Sequence, residues 1–177
     1  MNTNESICSL NEALASKPSD YQLLCQRGME YEKINQFSSA IEDYLAAKKS
    51  APSVSLAYQH LSLIHLRIGD PIQAKKYATH LIRLNVEDHI SHFCLARCHM
   101  SLGEHAIALE VLHQAVEIEP KSAMIWGALG KCFQKLGQTE DAKESYENAV
   151  TLKPFHAGYR IRLARVLLAM EAFEAAR

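Results

Sequence analysis

The chain of 177 residues has the length of one ordinary domain, and its 48% of hydrophobic residues is enough for a continuous core. Its formal net charge of −1 argues against a nucleic-acid binder or a membrane-surface binder, either of which would need a basic excess. No apolar run approaches the roughly 18 residues of a membrane-spanning helix. The N-terminus has no positive segment ahead of an apolar stretch, so it does not resemble a signal peptide. Five cysteines at irregular spacings indicate reduced thiols in a cytoplasmic protein.

The first predicted element is an amphipathic helix over residues 5–17, which ends before Pro18. Beyond it, proline, alanine and turn residues recur with a period of 34 residues. The recurring residues are Pro18, Pro52, Pro120 and Pro154; Ala40, Ala74, Ala108, Ala142 and Ala176; and Asn35, Gly69, Gly103 and Gly137. Such a period indicates a solenoid, whose function depends on an extended surface rather than on a catalytic pocket.

Each period is predicted to form two helices, which we name helix A and helix B. In the clearest period, helix A has Trp126, Leu129, Gly130 and Phe133 at helical spacing on one face. Gly137 then breaks the helix, because glycine suits a left-handed turn. Helix B has Ala142, Tyr146 and Ala149 on one face and ends before Pro154. The small residues Gly130, Ala142 and Ala149 are expected where the two helix axes come close, and Asp70–Pro71 is expected to cap and start a helix B.

The pattern Trp126-x2-Leu129-Gly130-x2-Phe133, followed by Gly137, Ala142, Tyr146, Ala149 and Pro154, resembles a tetratricopeptide repeat. The resemblance implies an all-α, right-handed superhelical solenoid of antiparallel helix hairpins. It implies a capping half-repeat at residues 1–20, four repeats at 21–54, 55–88, 89–122 and 123–156, and a partial fifth repeat at 157–177 that contains a helix A and the start of a helix B. We number positions within a repeat from Tyr21, Ser55, His89, Ala123 and Ala157.

In this family, positions 2, 5, 9, 12 and 13 of helix A line a concave groove, and the resemblance implies the same surface here. The predicted groove residues are Leu56, Gln59, Leu63, Leu66, Arg67, Ile90, Phe93, Arg97, Met100, Met124, Lys131, Lys135 and Arg165. Most of these residues are apolar, and a set of cations accompanies them. Exposed apolar patches usually mark interaction sites. We therefore predict a protein-interaction scaffold that binds a peptide or helix with apolar anchors and acidic flanks.

Several alternatives stay open. The chain is expected to be the N-terminal part of a longer protein. One alternative to the scaffold is the regulatory or substrate-presenting head of an enzyme, such as a glycosyl- or sulfotransferase, whose catalytic domain follows residue 177. A small dimeric secretion chaperone is a further alternative, as is a homodimer through the groove or the terminal helices. Within these residues we expect no catalytic residue and no cofactor. Histidines and cysteines at 89–99 suggest a metal site, but His92 and His99 occupy large core positions, so they are expected to pack rather than to bind metal.

Overall fold

The computed structural model describes residues 2–175, apart from the side chain of Glu174. The regular secondary structure of these residues consists of ten α-helices. They are α1 (Thr3–Ser16), α2 (Tyr21–Lys33), α3 (Phe37–Ser50), α4 (Ser55–Arg67), α5 (Pro71–Leu84), α6 (His89–Ser101), α7 (His105–Ile118), α8 (Ala123–Lys135), α9 (Thr139–Leu152) and α10 (Ala157–Ala175). The all-helical prediction is therefore confirmed for the described residues, and Ala176 of the alanine series lies outside them.

Aspartate side chains cap the starts of several helices. Asp20 accepts hydrogen bonds from the backbone of Gln22 and Leu23 at the start of α2. Asp70 accepts one from Gln73, and Pro71 is the first residue of α5, so the predicted cap is confirmed. Each cap satisfies backbone N–H groups that have no partner within the helix.

The turn from helix A to helix B is left-handed in all four complete hairpins. The φ angle is 59° at Asn35, 82° at Gly69, 79° at Gly103 and 76° at Gly137. Asparagine is one of the few residues with a side chain that adopts this conformation readily. The predicted role of Asn35 as the substitute for glycine is therefore confirmed.

The chain divides into two compact units between Asn85 and Val86. The N-terminal unit contains α1–α5, and its core includes Leu24, Tyr44 and Leu61. The C-terminal unit contains α6–α10, with Leu112, Ile125 and Leu129 in its core and Tyr146 and Val166 in a second cluster.

Within a hairpin, position 8 of helix A and position 24 of helix B have matched sizes. A Cβ atom placed on Gly130 would lie 2.8 Å from the Tyr146 ring, and one on Gly28 would lie 2.8 Å from the Tyr44 ring. In the second repeat both positions carry small residues, Ser62 and Ala78. In the third repeat the small residue Ala96 faces the medium-sized residue Leu112. Ala142 and Ala149 are fully buried, which confirms the close packing expected at Gly130, Ala142 and Ala149.

The fifth repeat differs from the expectation. Helix α10 runs without interruption from Ala157 to Ala175, so no turn separates a helix A from the start of a helix B. The reason is the residue at the turn position: Glu171 stands where the complete hairpins have Gly or Asn. Glutamate favours the continued helix and avoids positive φ.

Candidate partner-binding surface

In the C-terminal unit, neighbouring A helices pack against one another. Phe93 of α6 shares a core cluster with Ala128 of α8. A Cβ atom on Gly127 of α8 would overlap with the ring of Tyr159 in α10, so this ring covers the glycine. The residues of these helices that are not used in this packing form the candidate surface of the unit.

The predicted groove residues of the C-terminal unit are unequally exposed. Lys131, Lys135 and Arg165 are exposed, as is Met124 at 40%. Ile90, Arg97 and Met100 are half-buried. Two further exposed apolar residues of α10 occupy groove positions, Ile161 (52%) and Leu168 (64%).

The structure differs from the expectation at Phe93, which is only 8% exposed. Its ring belongs to the core cluster that contains Ala96, Ile125 and Ala128. Position 5 is used here for packing between A helices, as it is at Gly127, where the neighbouring tyrosine ring fills the space. Phe93 therefore presents little area to a partner, and the guanidinium of Arg97 lies 5.8 Å from the centroid of its ring.

The charges of the C-terminal unit are segregated by helix type. The A helices α6 and α8 carry three cations, Arg97, Lys131 and Lys135, and no carboxylate. Helix α10 adds three arginines before its first glutamate, Glu171. The B helices α7 and α9 carry six carboxylates and one lysine. The A helices thus create a positive potential beside apolar side chains.

In the N-terminal unit, the predicted groove residues lie mainly on α4. Leu56, Gln59, Leu63 and Leu66 are half-buried. The side chain of Arg67 is 46% exposed, and its guanidinium lies 4.8 Å from the centroid of the Phe37 ring. This contact orients the cation without removing it from solvent.

A charged network around Glu32 was not predicted from the sequence. One carboxylate oxygen of Glu32, Oε1, accepts a hydrogen bond from the Tyr44 hydroxyl at 2.7 Å and lies 2.7 Å from Nδ1 of His60. The other, Oε2, is 3.4 Å from Arg67. Glu32, His60 and Arg67, together with Met29 and Lys33, line an open depression of about 400 Å³.

The network lowers the pKa of Glu32. Burial alone would raise it, but the hydrogen bonds from His60 and Tyr44 and the charges of His60 and Arg67 outweigh burial. The signal in the sequence is a tyrosine at position 24 with a polar residue at position 12. It recurs in the fourth repeat, where the Tyr146 hydroxyl donates to Gln134 at 3.3 Å.

The histidines and cysteines of residues 89–99 are mostly buried. His92 and His99 are 5% and 6% exposed. Among the described residues, no group of three or more histidine, cysteine or acidic side chains could hold a metal ion. Burial raises the pKa of the Cys25 thiol to about 11 and that of Cys94 to about 12. None of the described helices is long and apolar enough to cross a membrane.

Comparison with known proteins gives a consistent result along the chain. Two family models, both described as tetratricopeptide repeat, match it: one at residues 91–132 and the other at residues 21–54 and 124–156. No curated protein sequence matches.

Solved structures with the same fold include TTC0263, a tetratricopeptide repeat protein of Thermus thermophilus, with 22% identity, a TM-score of 0.82, and coverage of 94% of this chain and 91% of that one. A chain of the APC/C hetero-tetramer Cut9–Hcn1 has 18% identity and a TM-score of 0.85, and the match covers 95% of this chain and 34% of that one. YrrB, a repeat protein with an unusual peptide-binding site, has 18% identity, a TM-score of 0.67, and coverage of 92% and 84%.

Proposed function

The chain belongs to the tetratricopeptide repeat family, and we propose on that basis that it is an interaction scaffold whose A helices bind a protein or peptide segment with apolar anchors and acidic flanks. Repeat proteins of this family act in general by binding other proteins rather than by catalysis. The part of the proposal specific to this chain is the chemistry of the segment that it binds.

The charge segregation of the C-terminal unit carries this proposal. A partner that approaches α6, α8 and the first part of α10 meets cations without any intervening carboxylate. Lys131 and Lys135 lie one helical turn apart on α8, and both are exposed. An acidic segment is attracted to this surface, and a basic one is repelled.

Apolar anchors are supported by the exposed side chains at groove positions. Met124, Ile161 and Leu168 each expose 40% or more of their area. Methionine adapts its shape to different partners, and exposed apolar side chains next to polar residues are typical of interaction surfaces. Lys131, Lys135 and Arg165 are the proposed contacts to acidic flanks. We propose that the corresponding residues of α4 and α6 also contact a partner. The proposed apolar or polar contacts are Leu56, Gln59, Leu63, Leu66, Ile90, Met100 and the small exposed part of Phe93. The proposed contacts to acidic flanks are Arg67 and Arg97.

The proposal is tested with two labelled peptides that share two leucines at helical spacing and differ only in their flanks, which are glutamates in one and lysines in the other. The glutamate peptide is expected to bind more tightly, and its affinity is expected to fall as salt is added, because exposed charges are screened. The double variant Lys131→Glu, Lys135→Glu is expected to lose about tenfold or more of this affinity, which corresponds to about 1.4 kcal/mol.

A matched control is Lys121→Glu, a charge reversal at an exposed loop residue of the same unit. This variant is expected to bind the glutamate peptide as the unchanged chain does. Equal binding of the two peptides, or equal loss in the control and in the double variant, would refute the proposed surface.

A further inference from the structure

Helices α1 and α10 are incomplete halves of the repeat pattern. Helix α1 (Thr3–Ser16) lies 34 residues before α3 (Phe37–Ser50), so it occupies the register of a helix B. Helix α10 begins at position 1, in the register of a helix A. Within residues 2–175, no helix A precedes α1 and no helix B follows α10.

The missing partner leaves a face of α1 only partly covered. The residues at positions 20, 24 and 27 of a helix B face helix A of the same hairpin, and in α3, α5, α7 and α9 all of them are at most 1% exposed. In α1 the same positions are Ser6, Leu10 and Ala13, and all three are half-buried. This face is therefore built for a helix A that these residues do not supply.

Helix α10 has the complementary deficit. Position 8 of helix A is buried in every complete hairpin, yet Ala164 at this position is exposed. Leu167, one turn further on, is 37% exposed. Together with Arg160, and with Ile161 that also occupies a groove position, they line an open depression of about 470 Å³ along α10. A helix B would cover this depression.

We propose that α1 of one copy packs on α10 of a second copy and completes the fifth hairpin, so that the chain associates head to tail. The register of the complete hairpins assigns the contacts. Ala164 would meet Leu10, the same pair of residue types as Ala96 and Leu112, which share a buried cluster in the C-terminal unit. The small residue at position 8 therefore has a partner of a size that the chain already uses.

The charges of the two faces are also complementary. Positions 4 and 26 lie side by side in a hairpin: the rings of Tyr58 and His80, at these positions, stack with centroids 4.3 Å apart. The same positions are Arg160 in α10 and Glu12 in α1, and both are exposed. The proposed contact thus places an arginine beside a glutamate at the edge of an apolar face.

Sedimentation velocity over a wide range of concentration tests the proposal. The unchanged chain is expected to associate as its concentration rises. Because the contact joins two different faces, each copy can bind one further copy at each end, and the products are either open oligomers larger than a dimer or closed rings. The variants Glu12→Arg and Arg160→Glu are each expected to weaken association at least about tenfold. The double variant Glu12→Arg, Arg160→Glu is expected to recover it.

A second pair of variants distinguishes this contact from one between two like faces. Leu10→Asp blocks the α1 face and leaves α10 intact, whereas Ala164→Asp blocks the α10 face and leaves α1 intact. An equal mixture of the two is expected to form a one-to-one dimer that neither variant forms alone. Two results would overturn the proposal: a chain that stays monomeric at all concentrations, or an association that any of the four single variants leaves unchanged. A monomeric chain is also the result expected if another protein or a further segment covers α10.

Failure of this inference can be separated from failure of the proposed function. Arg165→Glu reverses a charge on the same helix at groove position 9 rather than on the face turned toward a helix B. It is expected to weaken binding of the glutamate peptide and to leave self-association unchanged, whereas Arg160→Glu is expected to do the reverse. Variants that shift both measurements together would contradict the separation of the two surfaces.

Discussion

The fit between Gly130 and Tyr146 makes a quantitative prediction about stability. In Gly130→Ala the new Cβ atom would lie 2.8 Å from two ring carbons of Tyr146, whose side chain is fully buried. Carbon atoms pack best at about 3.5–4.0 Å, so the ring or the helix must move by roughly 0.7 Å or more. Overpacking of this kind costs about 1–3 kcal/mol, and the higher helix propensity of alanine returns about 1 kcal/mol. We expect a net loss of unfolding free energy of up to about 2 kcal/mol.

A double-mutant cycle isolates this contact. Tyr146→Leu alone removes ring contacts and the hydrogen bond to Gln134, and we expect it to cost about 2 kcal/mol. The double variant recreates the Ala96–Leu112 pair of the third repeat, so its loss should be smaller than the sum of the single losses by about 1 kcal/mol or more. Unfolding in urea, followed by circular dichroism, measures all three values.

The matched control for this cycle is Gly137→Ala. It strains a turn with φ of 76° but meets no atom within 4 Å, so its effect should add to that of Tyr146→Leu without coupling. Additivity within about 0.5 kcal/mol in the Gly130 cycle itself would refute the size-matching argument.

Two further predictions concern titratable groups. The pKa of Glu32 is lower in the folded chain than its usual value of 4.5. The stability that the Glu32 carboxylate contributes is therefore fully present above pH 4.5 and is lost as the pH falls through the folded-state pKa. The difference in unfolding free energy between the unchanged chain and Glu32→Gln should shrink from pH 7 to acid pH, and a constant difference would contradict the assignment. Of the five cysteines, Cys8 is exposed and the other four are buried, so a thiol reagent should modify one equivalent rapidly in the native chain and none in Cys8→Ser. Any rapid equivalent in that variant would contradict the burial of the other four thiols.

Much of the fold could be predicted from the sequence because small and turn residues recur in register. Asn35 was predictable as a turn residue because a left-handed conformation strongly limits the choice of side chain. The uninterrupted course of α10 was predictable in principle by the same limit on which residues form a left-handed turn. Glu171 at the turn position indicates a continuous helix, but the period of the preceding repeats outweighed this single residue in the prediction.

The candidate surface was less predictable, because membership of a groove position does not fix exposure. Phe93 occupies such a position, yet its ring fills the space between two A helices. Whether an aromatic side chain turns toward a partner or toward the next helix depends on the volume available there, as the small residue Ala128 provides beside Phe93. The network of Glu32, Tyr44 and His60 was missed because it joins side chains from three helices. The sequence carries part of its signal, a polar residue at position 12 with a tyrosine at position 24, but it does not show that His60 of the next repeat lies within hydrogen-bonding distance of Glu32.

The size match at positions 8 and 24 has a consequence for how such a chain can be recombined. If α9 alone replaced α7, Tyr146 would face Ala96, whose Cβ occupies the space that the tyrosine ring needs. If α8 and α9 moved together, Gly130 would travel with its tyrosine and the fit would be preserved. The natural module for duplication, deletion or grafting is therefore the intact hairpin, and arrays of this kind can change their length in steps of a whole repeat but cannot exchange single helices freely.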